Sequence, residues 1–136
     1  MFTFKISLNS EPLCHAGLSG HGALTTIISS VSRAGEDYDR IKPAGCSREE
    51  YENESTLNVG GLATSDPPDG THLDWARRSL KEGDVIMIEI CPAGPADPPV
   101  AVRPRDRKLD LKGKRSYVTR ACKELGWTLI KRGKKK

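Results

Sequence analysis

No apolar run in this sequence approaches the roughly 18 residues that a membrane-spanning helix needs, so no membrane partner is expected. The first residues, Met1 to Leu8, alternate apolar with polar and lack the continuous apolar stretch of a secretory signal. A cytoplasmic location is the resulting expectation. Cys14, Cys46, Cys91 and Cys122 lie far apart and form no C-x-x-C pair. A disulfide framework needs a small secreted context, so all four are read as free thiols. No fixed-period repeat is present, which argues against a solenoid or propeller. Gly20-His21-Gly22 and Gly60-Gly61 match neither phosphate-loop pattern. There is no G-x-S-x-G elbow and no helix-turn-helix, RRM or KH signature.

What the sequence does hold is an uneven distribution of charge. Its 136 residues fit one domain and sum to a formal net charge of +4. Residues 1–99 carry 8 basic and 15 acidic side chains, net −7, whereas residues 100–136 carry 14 basic and 3 acidic, net +11. The sign changes at Pro92–Pro99, where four prolines and a glycine suggest a stiff connector, since proline cannot donate to a β ladder. Three regions are therefore expected: an acidic β-rich core at 1–91, a proline-rich connector at 92–102, and a basic helix and tail at 103–136 that form an appendage of the same domain.

Hydrophobic periodicity supplies the elements. Phe2, Phe4, Ile6 and Leu8 alternate with polar residues, and Cys14, Ala16 and Leu18 alternate again after the turn cluster at 9–12. This pattern predicts a β-hairpin. Residues 23–33 are double-natured. Leu24, Ile27, Ile28 and Val31 fit helical spacing, but Thr25, Thr26, Ile27, Ile28 and Val31 favour a strand because β-branched side chains lose rotamer freedom in helices. Residues 34–54 are polar and acidic, and read as a long loop with a short helical turn near Ser47 to Tyr51. Thr56 to Leu62 alternates as a strand, and 66–70 is a turn. Val85 to Ile90 is nearly continuous in apolar character, which suits a central strand covered on both faces. Ser116 could N-cap a helix carrying Val118, Ala121, Cys122 and Leu125 on one face and stopped by Gly126, and 127–130 could form a last short strand. The expected fold is α+β and mainly antiparallel β: a small sandwich or barrel of about five or six strands with one C-terminal amphipathic helix.

The stretch from His72-Leu73-Asp74-Trp75 to Gly83-Asp84-Val85-Ile86-Met87-Ile88 resembles a segment of small bacterial β-rich proteins, in which an H-L-x-W motif precedes a hydrophobic position, then a Gly-Asp and a strand. The resemblance implies a β-rich architecture and no particular activity.

Three constellations could carry chemistry. His15, His21 and His72, with Cys14, Cys46 and Cys91, are zinc-ligand types, but their spacing lacks the two close pairs of a structural site. Cys14 and His15 are neighbours on a strand and point to opposite faces. Asp74, His72 and a serine have the composition of a triad without its sequence context. No catalytic residue, metal ligand or cofactor is assigned on this basis. A small ligand- or metal-binding barrel or enzyme using His15, His21 and His72 is the alternative reading.

The leading candidate is the basic segment: Arg103, Arg105, Arg107, Lys108, Lys112, Lys114, Arg115, Arg120, Lys123, Lys131 and Arg132, with Tyr117 and Trp127 interleaved. Lys and Arg neutralise phosphates, and aromatics stack on unpaired bases. The same charges could instead grip a protein, or dock on the acidic loop of this chain or of a second copy. The expectation is a non-enzymatic interaction module whose partner is a protein or a nucleic acid backbone, with homo-oligomerisation open. Trp75, Arg77 and Arg78 form a separate candidate interface, unless Trp75 packs into the core.

Overall fold

A computed structural model describes residues 2–64, 70–130 and 133. The chain divides into two compact units, Met1–Pro104 and Arg105–Lys136. The first unit holds seven strands: β1 (Thr3–Leu8), β2 (Glu11–Ala16), β3 (Gly22–Ser32), β4 (Asn53–Ala63), β5 (Thr71–Leu80), β6 (Ile86–Cys91) and β7 (Ala101–Pro104). It also has two short helices, α1 (Gly35–Ile41) and α2 (Arg48–Glu52). The strands form two antiparallel sheets, β2-β1-β6 and β3-β4-β5-β7, and among the described residues neither closes into a barrel. The protein is thus a small β-rich α+β fold, as expected, with seven strands among the described residues.

The predicted hairpin is β1–β2. Asn9 and Ser10 both take positive φ, at 52° and 68°, as a two-residue turn matched to strand twist requires. Phe4, Ile6 and Leu8 share one face with Cys14 and Ala16, and a register shift at Ile6/Ser7 makes Leu13 the extra residue of β2. Val85–Ile90 departs from expectation. Among the described residues β6 pairs only with β1, at the edge of its sheet. Met87 is 61% exposed and Ile90 66%, so this apolar run is not a covered central strand.

Residues 23–33 resolve as strand. β3 pairs with β4 along its whole length, from Gly22↔Ala63 to Ser32↔Asn53. In that register Leu24 and Ile28 share the face of buried Leu57, while Ile27 and Val31 turn outward, so the helical spacing is coincidental. β5 has no counterpart among the sequence expectations, because buried Trp75 and Ala76 are adjacent and break its alternation. The cause is a bulge: Val59 pairs with Ala76 and Gly60 with Asp74, which leaves Trp75 unpaired and free to turn inward. Gly61 makes room for it; a Cβ there would lie 2.8 Å from the Ala23 carbonyl and 3.4 Å from the Trp75 ring.

The acidic 34–54 segment is more ordered than a loop. The short turn near Ser47 is α2, closed by a capping box in which Ser47 and Glu50 bond each other's backbone. α1 had no sequence expectation and ends at Lys42 in the left-handed region. The Tyr38 and Tyr51 rings lie 5.7 Å apart, and the Arg33 guanidinium sits 5.0 Å from the Tyr51 centroid. The turn expected at 66–70 lies outside the described residues apart from Gly70.

One core cluster joins the sheets: Ile6 and Ala16 from the first, Leu57, Val59, Trp75 and Ala76 from the second. The proline-rich segment is not a free connector but a strap across the two. Asp97 Oδ2 accepts from the His15 N–H (2.7 Å), Asp97 N–H donates to the His15 carbonyl (2.8 Å), and the Asp97 carbonyl accepts from Trp75 Nε1 (2.8 Å). Val100 N–H then bonds the Asp74 carbonyl, starting β7. The first compact unit accordingly runs on through the strap to Pro104.

The second unit holds α3 (Arg107–Leu125), which begins nine residues before the Ser116 cap expected from sequence. Its N-cap is Asp106, whose carboxylate accepts from the Lys108 and Leu109 N–H groups. Gly126 ends it in the left-handed conformation, as expected, and Trp127 N–H closes a Schellman bond to the Cys122 carbonyl (2.8 Å). Residues 127–130 form no strand.

The seat of the strap can be tested directly. A Cβ on Gly17 would lie 2.8 Å from Thr3 Cγ2 and 2.9 Å from Ala96 Cβ, beneath the strap. Gly17→Ala should cost about 1–3 kcal/mol by overpacking, and Asp97→Ala about 1–2 kcal/mol through removal of the side-chain hydrogen bond. Denaturant unfolding measures both, and a neutral Gly17→Ala would show that the strap does not seat there.

A second prediction concerns Asp84, whose carboxylate accepts from Asn9 Nδ2 and from the Lys81 N–H, both at 2.9 Å. The Asn9 bond first and the Lys81 bond second hold its carboxyl below the usual aspartate value. A lowered folded-state pKa contributes stability that is present above the unfolded value near 3.9 and is lost as pH falls through the lowered one. Asp84→Ala should therefore be destabilising at neutral pH, and its deficit should shrink below about pH 3.9. Unfolding curves at several pH values test this, and a deficit independent of pH contradicts it.

Candidate functional site

The helix that carries most of the predicted basic residues sorts them by side. At 100° per residue, Lys108, Lys112, Arg115 and Lys123 of α3 fall within about 80° of arc. They run along about 22 Å of helix axis. Leu111, Val118, Cys122 and Leu125 form the adjoining stripe, with Val118 40% and Leu125 58% exposed. Arg120 stands away from the basic stripe and faces Glu124 at 4.0 Å. Arg105 pairs with Asp110. Among the described residues of this unit no carboxylate pairs with Lys108, Lys112, Arg115 or Lys123. The unit carries 13 basic and 3 acidic side chains, net +10. Lys131 and Arg132 lie outside the described residues. Tyr117 (64%) and Trp127 (69%) are exposed.

Arg103 belongs to the first unit. It sits on β7, and its guanidinium holds Asp74 at 2.8 Å through Nη2 and 3.1 Å through Nε. It is a strand-pairing cation rather than part of the helical stripe. Arg77 and Arg78 are exposed on β5, whereas Trp75 is 4% exposed and belongs to the core cluster.

The acidic segment is partly paired from within. Arg33 pairs with Glu54 (2.6 Å), Arg40 with Asp37 (2.8 Å), and Arg48 with Glu52 (2.8 Å) and Asp39 (3.5 Å). Glu50 is engaged in the α2 cap, and the backbone N–H of Ser47 is the main cause that holds its carboxyl below the usual value. The segment that looks like a landing surface for the basic tail thus has most of its carboxylates occupied.

The structure does not gather the histidines. His15 is on β2, where Thr3 Oγ1 donates to the Pro92 carbonyl (3.2 Å) and lies 2.8 Å from His15 Nε2. His72 is on β5 in the other sheet, paired across to Arg103, and His21 lies in the loop before β3. No group of three or more His, Cys, Asp or Glu placed to hold a metal ion occurs among the described residues. The four cysteines are free and partly buried. Burial, and then the Asp97 charge, raise the Cys14 thiol, with Arg78 opposing, so Cys14 is a poor nucleophile at neutral pH.

Sequence reasoning finds the basic residues but misses how they line up, because it starts the helix at Ser116. The signal is present in Asp106, an N-cap residue followed by Lys108, Lys112 and Arg115 at helical spacing.

Comparison with known protein families, with curated proteins and with solved structures finds no match for this chain. No helix among the described residues is long and apolar enough to cross a membrane.

Proposed function

We propose that the protein is a non-enzymatic interaction module whose C-terminal unit binds the backbone of a nucleic acid. The carrying observation is the row of Lys108, Lys112, Arg115 and Lys123 along one flank of α3, cations with no carboxylate partner among the described residues of their unit. A nucleic acid presents closely and regularly spaced negative charge, and a linear row of cations releases the counterions condensed on it. Exposed Tyr117 and Trp127 add surfaces on which unpaired bases could stack. Docking on the chain's own acidic segment is the less favoured reading, because local arginines already pair most of its carboxylates. An acidic protein partner is met by the same charges without the aromatic contribution.

Fluorescence anisotropy with single-stranded and duplex oligonucleotides, repeated across a salt series, tests the reading. Affinity should fall linearly on a log–log plot against salt. Reversing Lys108, Lys112, Arg115 and Lys123 to Glu should reduce the magnitude of the slope by about 3–4, near 0.9 for each duplex phosphate that is no longer neutralised. Trp127→Ala should weaken single-stranded binding by about 1–3 kcal/mol and leave duplex binding unchanged. Binding that is absent, or indifferent to the charge reversals, counts against the proposal.

A further inference from the structure

The two edges of the β2-β1-β6 sheet are treated differently. β2 is blocked: it carries Pro12 and the Leu13 bulge, and Asp97 of the strap occupies the backbone N–H and carbonyl of His15. Proline, bulges and covering segments are the usual devices that stop an edge from adding another strand. Among the described residues β6 has none of them. It is a regular strand in continuous register with β1, from Leu8↔Ile86 to Thr3↔Cys91. Its one charge is Glu89, which lies across from Lys5 of β1.

The hydrogen-bonding parity of β6 follows from its first bond. Asn9 N–H donates to the Val85 carbonyl (2.8 Å), so Val85 faces β1. Residues that exchange ladder bonds alternate along an antiparallel pair. Met87, Glu89 and Cys91 therefore also direct their N–H and C=O toward β1, and Ile86, Ile88 and Ile90 direct theirs outward. Among the described residues no strand accepts them. Ile88 and Ile90 are also exposed at the side chain, by 42% and 66%.

We infer that β6 is a dimerisation edge whose occupant is β6 of a second copy of this chain, antiparallel about a two-fold axis at Ile88. The strand is its own complement in that register. Ile88 meets Ile88 of the second copy, and Ile86 meets Ile90 in both directions, so all three outward-facing residues exchange backbone bonds. The side chains brought together are β-branched, the type that packs well on a pleated surface. On the other face Glu89 meets Met87 of the second copy, so no like charges stand opposite. A two-fold register centred on Glu89 would set Glu89 against Glu89 and would turn the wrong backbone groups toward each other. The result is one sheet in the order β2-β1-β6-β6-β1-β2, whose outer edges are the blocked β2 strands. The assembly closes at two copies instead of growing into a fibre.

Sedimentation equilibrium of the full chain, with folding checked by circular dichroism, tests this with two substitutions of opposite sign. Ile88→Lys places two lysines against each other at the axis and should weaken the dimer at least about tenfold. Met87→Lys places each lysine opposite Glu89 of the second copy and should leave the dimer as tight, or up to about tenfold tighter. Non-specific sticking of an apolar surface would be weakened by both. Ile27→Lys, on the outward face of edge strand β3, is the control and should have no effect. A monomeric wild type, a folded Ile88→Lys that still dimerises, or a folded Met87→Lys that dissociates overturns the inference. So does a dimer that dissolves in high salt and ignores Ile88→Lys, since that is the signature of the basic unit docking on acidic side chains.

Discussion

The first unit depends on Asp97. A two-sheet fold with only six buried hydrophobic residues among those described has little apolar area to hold its layers in register. Asp97 joins them by hydrogen bonding instead. Its own N–H and its carboxylate saturate the exposed edge of β2 at His15, and its carbonyl fixes the indole of Trp75, the largest side chain of the core. The four prolines around it keep the strap stiff, so these bonds cost little further conformational entropy when they form. Thr3 and the missing side chain of Gly17 complete the seat. One loop residue thereby orients the main core aromatic, covers a strand edge and aligns the start of β7.

The same arrangement explains which surfaces are left over. The strap protects β2, and β7 is short and carries Arg103 and Pro104 at its end. β6 receives no such protection, although its sequence is the most apolar of the strands. A central strand is what its composition suggests, and a second β6 would supply the missing ladder neighbour, though not a cover for its faces. Local preference and global placement then agree, as they generally do in natural folds.

How much of this is legible in the sequence divides along physical lines. The hairpin and β4 are readable because one buried face imposes period two, and the Gly126 stop because left-handed φ selects glycine. β5 is not readable: a bulge at Trp75 puts neighbouring residues on the same side and destroys the alternation on which detection rests. β6 reads as a strand but is misplaced, since a hydrophobic run reports that something covers it without saying whether the cover lies in the same chain. The strap escapes notice because its bonds run from Asp97 to His15 and Trp75, pairings between distant residues that no local pattern records. The basic residues of the candidate site are visible by composition, whereas their shared flank requires the true N-cap of α3 at Asp106.

The net charge of +4 conceals a division that the ion pairs sharpen. In the first unit Arg33, Arg40 and Arg48 spend their charge on neighbouring carboxylates, and Arg103 on Asp74, so the acidic excess is partly screened locally. In the second unit three acidic side chains face thirteen basic ones, and one of the three, Asp106, is engaged in capping the helix. The unneutralised charge therefore concentrates on α3, where a Debye length near 10 Å at moderate salt lets neighbouring cations of the row act together. A two-fold dimer through β6 would carry two such helices on one particle. A polyanion long enough to reach both would be held with the effective concentration of a tethered site, so a modest affinity per helix would become a firm grip without any additional contact.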